Sequence, residues 1–414
     1  MPDRLYPRFA SRRLVEALGD SPVVLVHGPR QCGKTTLARA VGDPAGYQYY
    51  DFDLPATREA AEIDPVGFVA DLPKKAILDE VQHVPELFAV IKSAVDRDRR
   101  PGRLILSGSA NVLLVPRLSD SLAGRMEILR LHPLAQDELA GSESAFLDRL
   151  FGKGFAAGRS ERLAGDLVRR VVAGGYPAAL ARASAARRMA WHRSYLESIL
   201  QRDVRDATRI SALDVLPKLL QAAAAQTAGL FNVSALAAPF ALSRTTIRDY
   251  LAVLERIFLL ERLPPWHSNR LSRLVKTPKL HFGDTGLAAS LLDVDADSLA
   301  LDRARFGQLL ETFVFQELNR QASWQERPVG MYHFRDRDGV EVDIVLERGG
   351  HAVAGVEVKA GATVASTSFS GLRKLQEAAG SRFVRGVVLY DGEQTLPFGD
   401  KLQAVPLRVL WEAA

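Results

Sequence analysis

The stretch Gly28-Pro29-Arg30-Gln31-Cys32-Gly33-Lys34-Thr35 constrains this chain more than any other part of its sequence. It satisfies G-x-x-x-x-G-K-[ST], follows the apolar run VVLV and precedes TTLARAV, which has helical spacing. Strand, glycine loop and helix in that order make a cradle for a polyphosphate. The glycines let backbone N–H groups turn inward, and the helix N-terminus adds partial positive charge. ATP with Mg²⁺ is the expected ligand. Lys34 would bridge the β- and γ-phosphates and Thr35 would bind the metal. Pro29, Arg30, Gln31, Cys32 and Thr36 complete the loop. Cys32 sits where a helix N-terminus can lower a thiol pKa, yet it reads as a tolerated loop position, not a nucleophile.

Ala76-Ile77-Leu78-Asp79-Glu80 is an apolar strand ending in two acids. Asp79 would hold Mg²⁺ through water, and Glu80 would act as general base on the attacking water. Leu104-Ile105-Leu106-Ser107-Gly108-Ser109 is a strand with a polar tip. Ser109 or Ser107 would sense the γ-phosphate there; otherwise both cap a turn. Arg125, just before a strand, is a candidate arginine finger in its own or a neighbouring subunit; acting in trans, it would imply a homo-oligomer. The alternative for Arg125 is a local salt bridge.

Short apolar runs alternate with amphipathic stretches over the first 140 residues, the rhythm of βα units and a parallel sheet. Strands are expected at Val23–Val26, Tyr47–Asp51, Ala76–Leu78, Arg103–Ser107 and Ile128–Leu131. Residues 145–230 turn to Ala, Leu and Arg at helical spacing, and residues 304–414 return to α/β, with a long helix from about Phe306 and strands near Glu341–Leu346, Gly355–Val358 and Val384–Tyr390. The division is therefore 1–140, 141–300 and 301–414, tightly joined, since no low-complexity linker or repeat intervenes. A single cysteine excludes an intrachain disulfide and suits a reducing compartment. No apolar run reaches the roughly 20 residues of a membrane span, and MPDRLYPRFA lacks a secretory apolar core. A cytoplasmic protein with no membrane association is expected.

Charge is uneven. Residues 151–300 hold 21 basic and 13 acidic side chains, whereas the segments on either side are slightly acidic. The excess fits either a nucleic-acid footprint or a solvated Arg-rich helical surface. Within it, Val233–Ala237 reads as a short helix, and Ser243 caps a second helix beginning Arg244-Thr245-Thr246-Ile247-Arg248. In this helix-turn-helix rhythm Arg244, Thr245 and Arg248 would face DNA, although such units also serve as packing modules.

In the last third Glu311 interrupts an apolar helix, Asp343 lies in the strand VEVDIV and Glu357-Val358-Lys359 lies on another. Residues two apart on a strand share a face, so Glu357 and Lys359 converge. Asp343 and Glu357 could then share Mg²⁺ or Mn²⁺, with Lys359 placing a nucleophilic water. The alternative is ordinary surface acids. Glu311 is informative because a carboxylate on an apolar helix is costly to bury alone.

The phrases GPRQCGKTT, AILDEVQ, SGSAN and SLAGR leading to LHPL resemble the AAA-type P-loop "ATP-binding protein" group of bacteria and archaea. RTTIRDYLAVLERIFLLERLPPW, KTPKLHFGDTGLAASLL and EVDIVLE with GVEVKAG resemble its usual partner region, a winged-helix segment followed by a PD-(D/E)xK nuclease-like fold. The resemblance implies an ATPase set of Gly28, Gly33, Lys34, Thr35, Asp79 and Glu80. It implies a nuclease-like set of Glu311, Asp343, Glu357 and Lys359. The expected function is a Mg²⁺-dependent ATPase that binds or acts on DNA. The alternatives are an ATP-gated, metal-dependent DNA nuclease and a nucleotide-switched regulatory or interaction protein without nuclease activity; separately, the partner could be a protein and not nucleic acid.

Overall fold

The computed structural model describes residues 5–109, 124–207, 215–240, 242–269 and 277–412. The N-terminal part is a five-stranded parallel sheet. Its strands are β1 (Val23–His27), β2 (Gln48–Asp51), β3 (Ala76–Asp79), β4 (Leu104–Gly108) and β5 (Met126–Arg130), in the order β2-β3-β4-β1-β5. All five were anticipated, with ends shifted by one or two residues. Alternation along β1 explains the two-sided burial. Val23 and Leu25 pack on one face with Leu78, Leu104 and Leu106. Val24 and Val26 pack on the other with Ile77 and Ile105. A parallel sheet needs both faces covered. Here the Ala10–Asp20 and Lys34–Gly42 helices cover one face and Leu87–Arg97 the other.

The middle part is helical, dominated by Gly165–Ala173, Ala185–Ala207 and Val215–Ala225. The Val233–Ala237 and Arg244–Arg256 helices follow, and the Ser243 hydroxyl accepts the Thr246 N–H at 3.0 Å, the anticipated cap. An antiparallel sheet of β6 (Gly229–Leu230), β7 (Leu260–Leu263) and β8 (Lys279–Phe282) runs in the order β6-β8-β7.

The last third holds the long Arg303–Ser323 helix and a six-stranded sheet. Its strands are β9 (Val329–Arg335), β10 (Glu341–Arg348), β11 (Ala352–Lys359), β12 (Phe383–Tyr390), β13 (Leu396–Pro397) and β14 (Leu402–Pro406). Strands β9, β10 and β11 are antiparallel, while β12 runs parallel to β11, with the Ser370–Ala379 helix between them in sequence. One face of this sheet, through Ile344, Leu346, Val356 and Leu389, shares a continuous core with the middle helices. That shared core is why no linker separates the two parts. Among the described residues no helix is long and apolar enough to cross a membrane.

Candidate functional site

The phosphate loop leaves the C-terminal end of β1. Gly33 sits at φ +101°, a left-handed conformation that glycine adopts at no steric cost. Gly28 is pressed against the chain after β5, where an added Cβ would lie 2.1 Å from the Leu131 carbonyl oxygen. Lys34 is buried, and its ammonium donates to the Gly28 and Pro29 carbonyls at 3.2 and 3.1 Å. Pro29 is buried, Arg30 half-buried, and Gln31 and Thr36 are exposed. Cys32 is wholly buried, with its thiol 3.5 Å from the Leu131 carbonyl, and burial pushes its pKa up, as suits a packing residue.

Strand β3 lies two strands from β1, yet its end meets the loop. The Thr35 hydroxyl donates to Asp79 Oδ2 at 2.7 Å across 44 residues of sequence. The same carboxylate accepts from the Tyr49 hydroxyl at 2.7 Å, from the Ser107 hydroxyl and from the Glu80 N–H. Burial pushes the Asp79 carboxyl above its ordinary range, offset in part by the Tyr49 and Thr35 hydrogen bonds. Glu80 follows in a left-handed conformation, φ +53°, which is unfavourable for a residue with a Cβ and is the kind of strain that collects at working sites. Its carboxylate accepts from the Gln82 amide, which also donates to Ser109 Oγ at 3.2 Å. The two serines are thus separated. Ser107 orients Asp79, and Ser109 stands at the strand tip beside Glu80. Hard oxygens from Thr35 and Asp79, brought together at the loop, suit Mg²⁺.

Arg125 is elsewhere. It donates to Asp96 at 2.6 and 3.1 Å, immediately before Met126, which pairs with Val23 at the start of β1. The loop begins after His27, at the other end of that strand. Four strand steps, about 13 Å, separate the two ends. The finger expected of Arg125 is therefore not formed toward its own chain's phosphate loop. The local salt bridge is what forms.

Tyr49 and Gln82 were not anticipated, nor was Arg8. The Arg8 guanidinium donates to the Cys32 carbonyl at 2.7 Å, the His132 carbonyl at 2.6 Å and Glu138 Oε1 at 3.0 Å. Tyr195, from the middle helices, donates to the Arg30 carbonyl at 3.1 Å.

The C-terminal carboxylates do come together, but around a lysine. Lys279 on β8 is 3% exposed, with its ammonium 2.7 Å from Glu311, 3.4 Å from Asp343 and 3.7 Å from Glu341. Asp343 sits where the β9–β10 register shifts, a bulge that re-aims a side chain, and it accepts the Val358 N–H at 2.9 Å. Glu357 and Lys359 converge as their spacing predicts, 2.7 Å apart. Burial, and then the Asp343 charge, raise the Glu357 pKa to about 7. Burial likewise raises that of Glu311, and Lys279 opposes the rise. Among the described residues no group of three or more His, Cys, Asp or Glu side chains is arranged to hold a metal ion. In this structure the two carboxylates expected to share a metal each face a cation, Asp343 the Lys279 ammonium and Glu357 that of Lys359.

On the Arg244–Arg256 helix, Ile247 and Leu251 face the core, and Arg244, Thr245 and Arg248 are exposed.

Three domain families match the chain: an AAA domain over residues 20–140, DUF8612, a domain of unknown function, over 164–298, and DUF4143, also of unknown function, over 306–410. Among solved structures it is similar to a Walker-type ATPase of Pyrococcus abyssi, at 17% identity and TM-score 0.45, covering 70% of this chain and 97% of that one. It is also similar to RuvB of Thermotoga maritima, at 17% identity and TM-score 0.30, covering 62% and 89%. Two curated relatives, the uncharacterized protein Rv2008c of Mycobacterium tuberculosis and the uncharacterized protein Mb2031c of Mycobacterium bovis, are each 34% identical over 405 residues, spanning 96% of this chain and 83% of theirs. In this chain an AAA domain is followed by two domains of unknown function, and with 34% identity along almost its whole length the chain belongs to the family of these mycobacterial proteins.

Proposed function

We propose that the protein is a Mg²⁺-dependent ATPase that couples hydrolysis to its middle and C-terminal parts, with DNA as the partner of the exposed face of the Arg244–Arg256 helix. The observation that carries the ATPase reading is the 2.7 Å contact between Thr35 and Asp79, which joins the phosphate loop to the acid-tipped strand. Lys34 and the loop amides bind the phosphates, and Thr35 and Asp79 hold the ion. Mg²⁺ held there would supply charge neutralisation to the bound phosphates. Glu80 takes the proton of the attacking water, Gln82 orients that carboxylate, and Ser109 donates toward the terminal phosphate.

The DNA reading is supported by the basic excess of residues 151–300 and by the exposure of Arg244, Thr245 and Arg248 at the start of one helix. Helix, three antiparallel strands, helix and a parallel strand, the order of the C-terminal part, supports a PD-(D/E)xK-like core. Lys279 speaks for that core as a binding scaffold and against metal-dependent cleavage.

The test is ATP turnover with Mg²⁺, alone and with single-stranded, duplex or four-way-junction DNA, beside Glu80→Gln and the double change Arg244→Ala with Arg248→Ala. Turnover that DNA raises, that Glu80→Gln abolishes and that the double variant no longer raises is the expected result. Turnover indifferent to every DNA would remove the DNA half and leave a protein partner.

A further inference from the structure

We infer that Arg8 is a positioning residue for the phosphate loop and the link through which the loop's shape reaches the C-terminal part. This rests on the ATP-site reading of the loop. Arg8 lies directly behind Gly33. A Cβ there would lie 3.4 Å from Arg8 Nη1, so the guanidinium backs the left-handed turn that the loop requires. Two of its nitrogens hold main-chain carbonyls, one inside the loop at Cys32 and one just after β5 at His132. The third, Nε, is on Glu138, which is 1% exposed and also accepts the Phe9 and Ala135 N–H groups. A planar guanidinium with three partners at 2.6–3.0 Å has one orientation that satisfies them all.

Glu138 lies in the segment 134–138, and the far side of that segment is held by the long Arg303–Ser323 helix. Glu317 Oε2 accepts the Gln136 N–H at 2.7 Å, and Arg320 donates to the Leu134 carbonyl at 2.8 Å. Arg320 also bonds Glu317 and Asp284, and all three are at most 3% exposed. Asp284 in turn accepts the N–H groups of Gly175 and Gly286 at 2.8 and 2.9 Å. From the Cys32 carbonyl to Asp284 every step is a direct hydrogen bond or one short stretch of backbone. A movement of the Cys32 peptide therefore breaks a bond or carries residues 134–138 with it, because a buried charge left unpaired is costly. The joint has a reporter: the Trp324 ring, at the end of the long helix, packs edge-on against Phe9 at 5.6 Å.

The experiment uses the full-length protein and Mg²⁺-ATP, with tryptophan emission and steady-state turnover measured together. Nucleotide should change the emission of the wild type, and Trp324→Phe should remove most of that change. Arg8→Ala should raise KM about tenfold with a smaller effect on kcat and should abolish the emission change at saturating ATP. Arg8→Lys restores charge without the three-way geometry and should recover KM only in part. Glu138→Gln, which keeps the Cys32 and His132 contacts of Arg8, should raise KM less than Arg8→Ala does and lose the emission change. A wild type that neither binds nor turns over ATP defeats the ATP-site reading itself. A wild type that binds with no Trp324 response, or an Arg8→Ala protein with unaltered KM and response, overturns this inference alone. If Arg8→Ala does not fold, Arg8→Lys and Glu138→Gln decide between the same outcomes.

Discussion

The Lys279 ammonium lies 2.7 Å from a Glu311 carboxylate oxygen, and the two side chains come from different parts of the chain, β8 of the middle sheet and the long helix of the last third. Neither is at home alone in an apolar core. Each makes the other's burial tolerable, and Asp343 and Glu341 share the same cation.

Lys279→Met should therefore cost roughly 3–5 kcal/mol, since it leaves carboxylates buried without their counter-charge. The raised pKa values of Glu311 and Glu357 rise further without the ammonium, so the penalty exists where these groups are ionised and fades as they protonate. The gap in denaturation midpoint between variant and wild type should shrink from about pH 8 to about pH 5. A gap of equal size at both would show that Lys279 acts by packing and not by charge. The wild-type midpoint, measured without nucleotide, should not respond to millimolar Mn²⁺.

Glu80→Gln keeps the shape of the side chain and removes the base. Turnover should fall by roughly 10²–10⁴-fold, with nucleotide affinity retained. Gln82→Ala should lower kcat less, because the Gln82 amide orients the carboxylate without itself taking a proton. The pair is checked by single-turnover hydrolysis beside equilibrium nucleotide binding. Equal losses in kcat and affinity for Glu80→Gln would place it in binding, not proton transfer.

The strands and loop of the ATPase part were legible because each is specified locally. VVLV is apolar throughout, as a strand covered on both faces must be, and a glycine loop needs its glycines at fixed places. The same holds for the Ser243 cap and for the Glu357–Lys359 convergence, which follow from spacing alone. The unread residues act across long separations. Tyr49 reaches Asp79 over 30 residues and Arg8 reaches Glu138 over 130, and no spacing rule covers either. Lys279 could have been found. It precedes LHF on a strand, and a cation in an apolar strand needs a carboxylate, the same argument that singled out Glu311. Arg125 is turned away from its own chain's phosphate loop because its neighbour in sequence, the start of β5, belongs to the end of the sheet away from the loop.

Gly28→Ala tests the fit of the loop's first residue. The added methyl would meet the Leu131 carbonyl at 2.1 Å, and that stretch is fixed by the Leu131 N–H to His27 carbonyl bond at 2.8 Å. Main chain cannot swing aside as a side chain can, so β1 and the segment after β5 must part. A stability loss of about 1–3 kcal/mol and loss of nucleotide binding are expected, read by chemical denaturation and by binding of a fluorescent ATP analogue. Unaltered binding would mean that the loop tolerates a Cβ here by relaxing.

Asp137 gives the protein a specific dependence on pH. It is fully buried, accepting the Glu138 N–H at 2.9 Å and the Ser144 N–H at 3.4 Å. Burial first, and then the charges of Glu317 and Glu138, raise its pKa to about 8. Its unfolded value is the ordinary one near 3.8, so between these limits the folded state binds the extra proton. Stability must then fall as pH rises through that window, by up to about 1.4 kcal/mol per pH unit for one group. Asp137→Asn cannot lose a proton, and its unfolding free energy should stay flatter from about pH 5 to about pH 8.5. The variant should gain on the wild type toward the alkaline end. Urea denaturation at several pH values reads this directly. Parallel curves for the two proteins would mean that Asp137 ionises inside the fold without penalty, its charge carried by the same N–H donors and by Arg320 beyond Glu317.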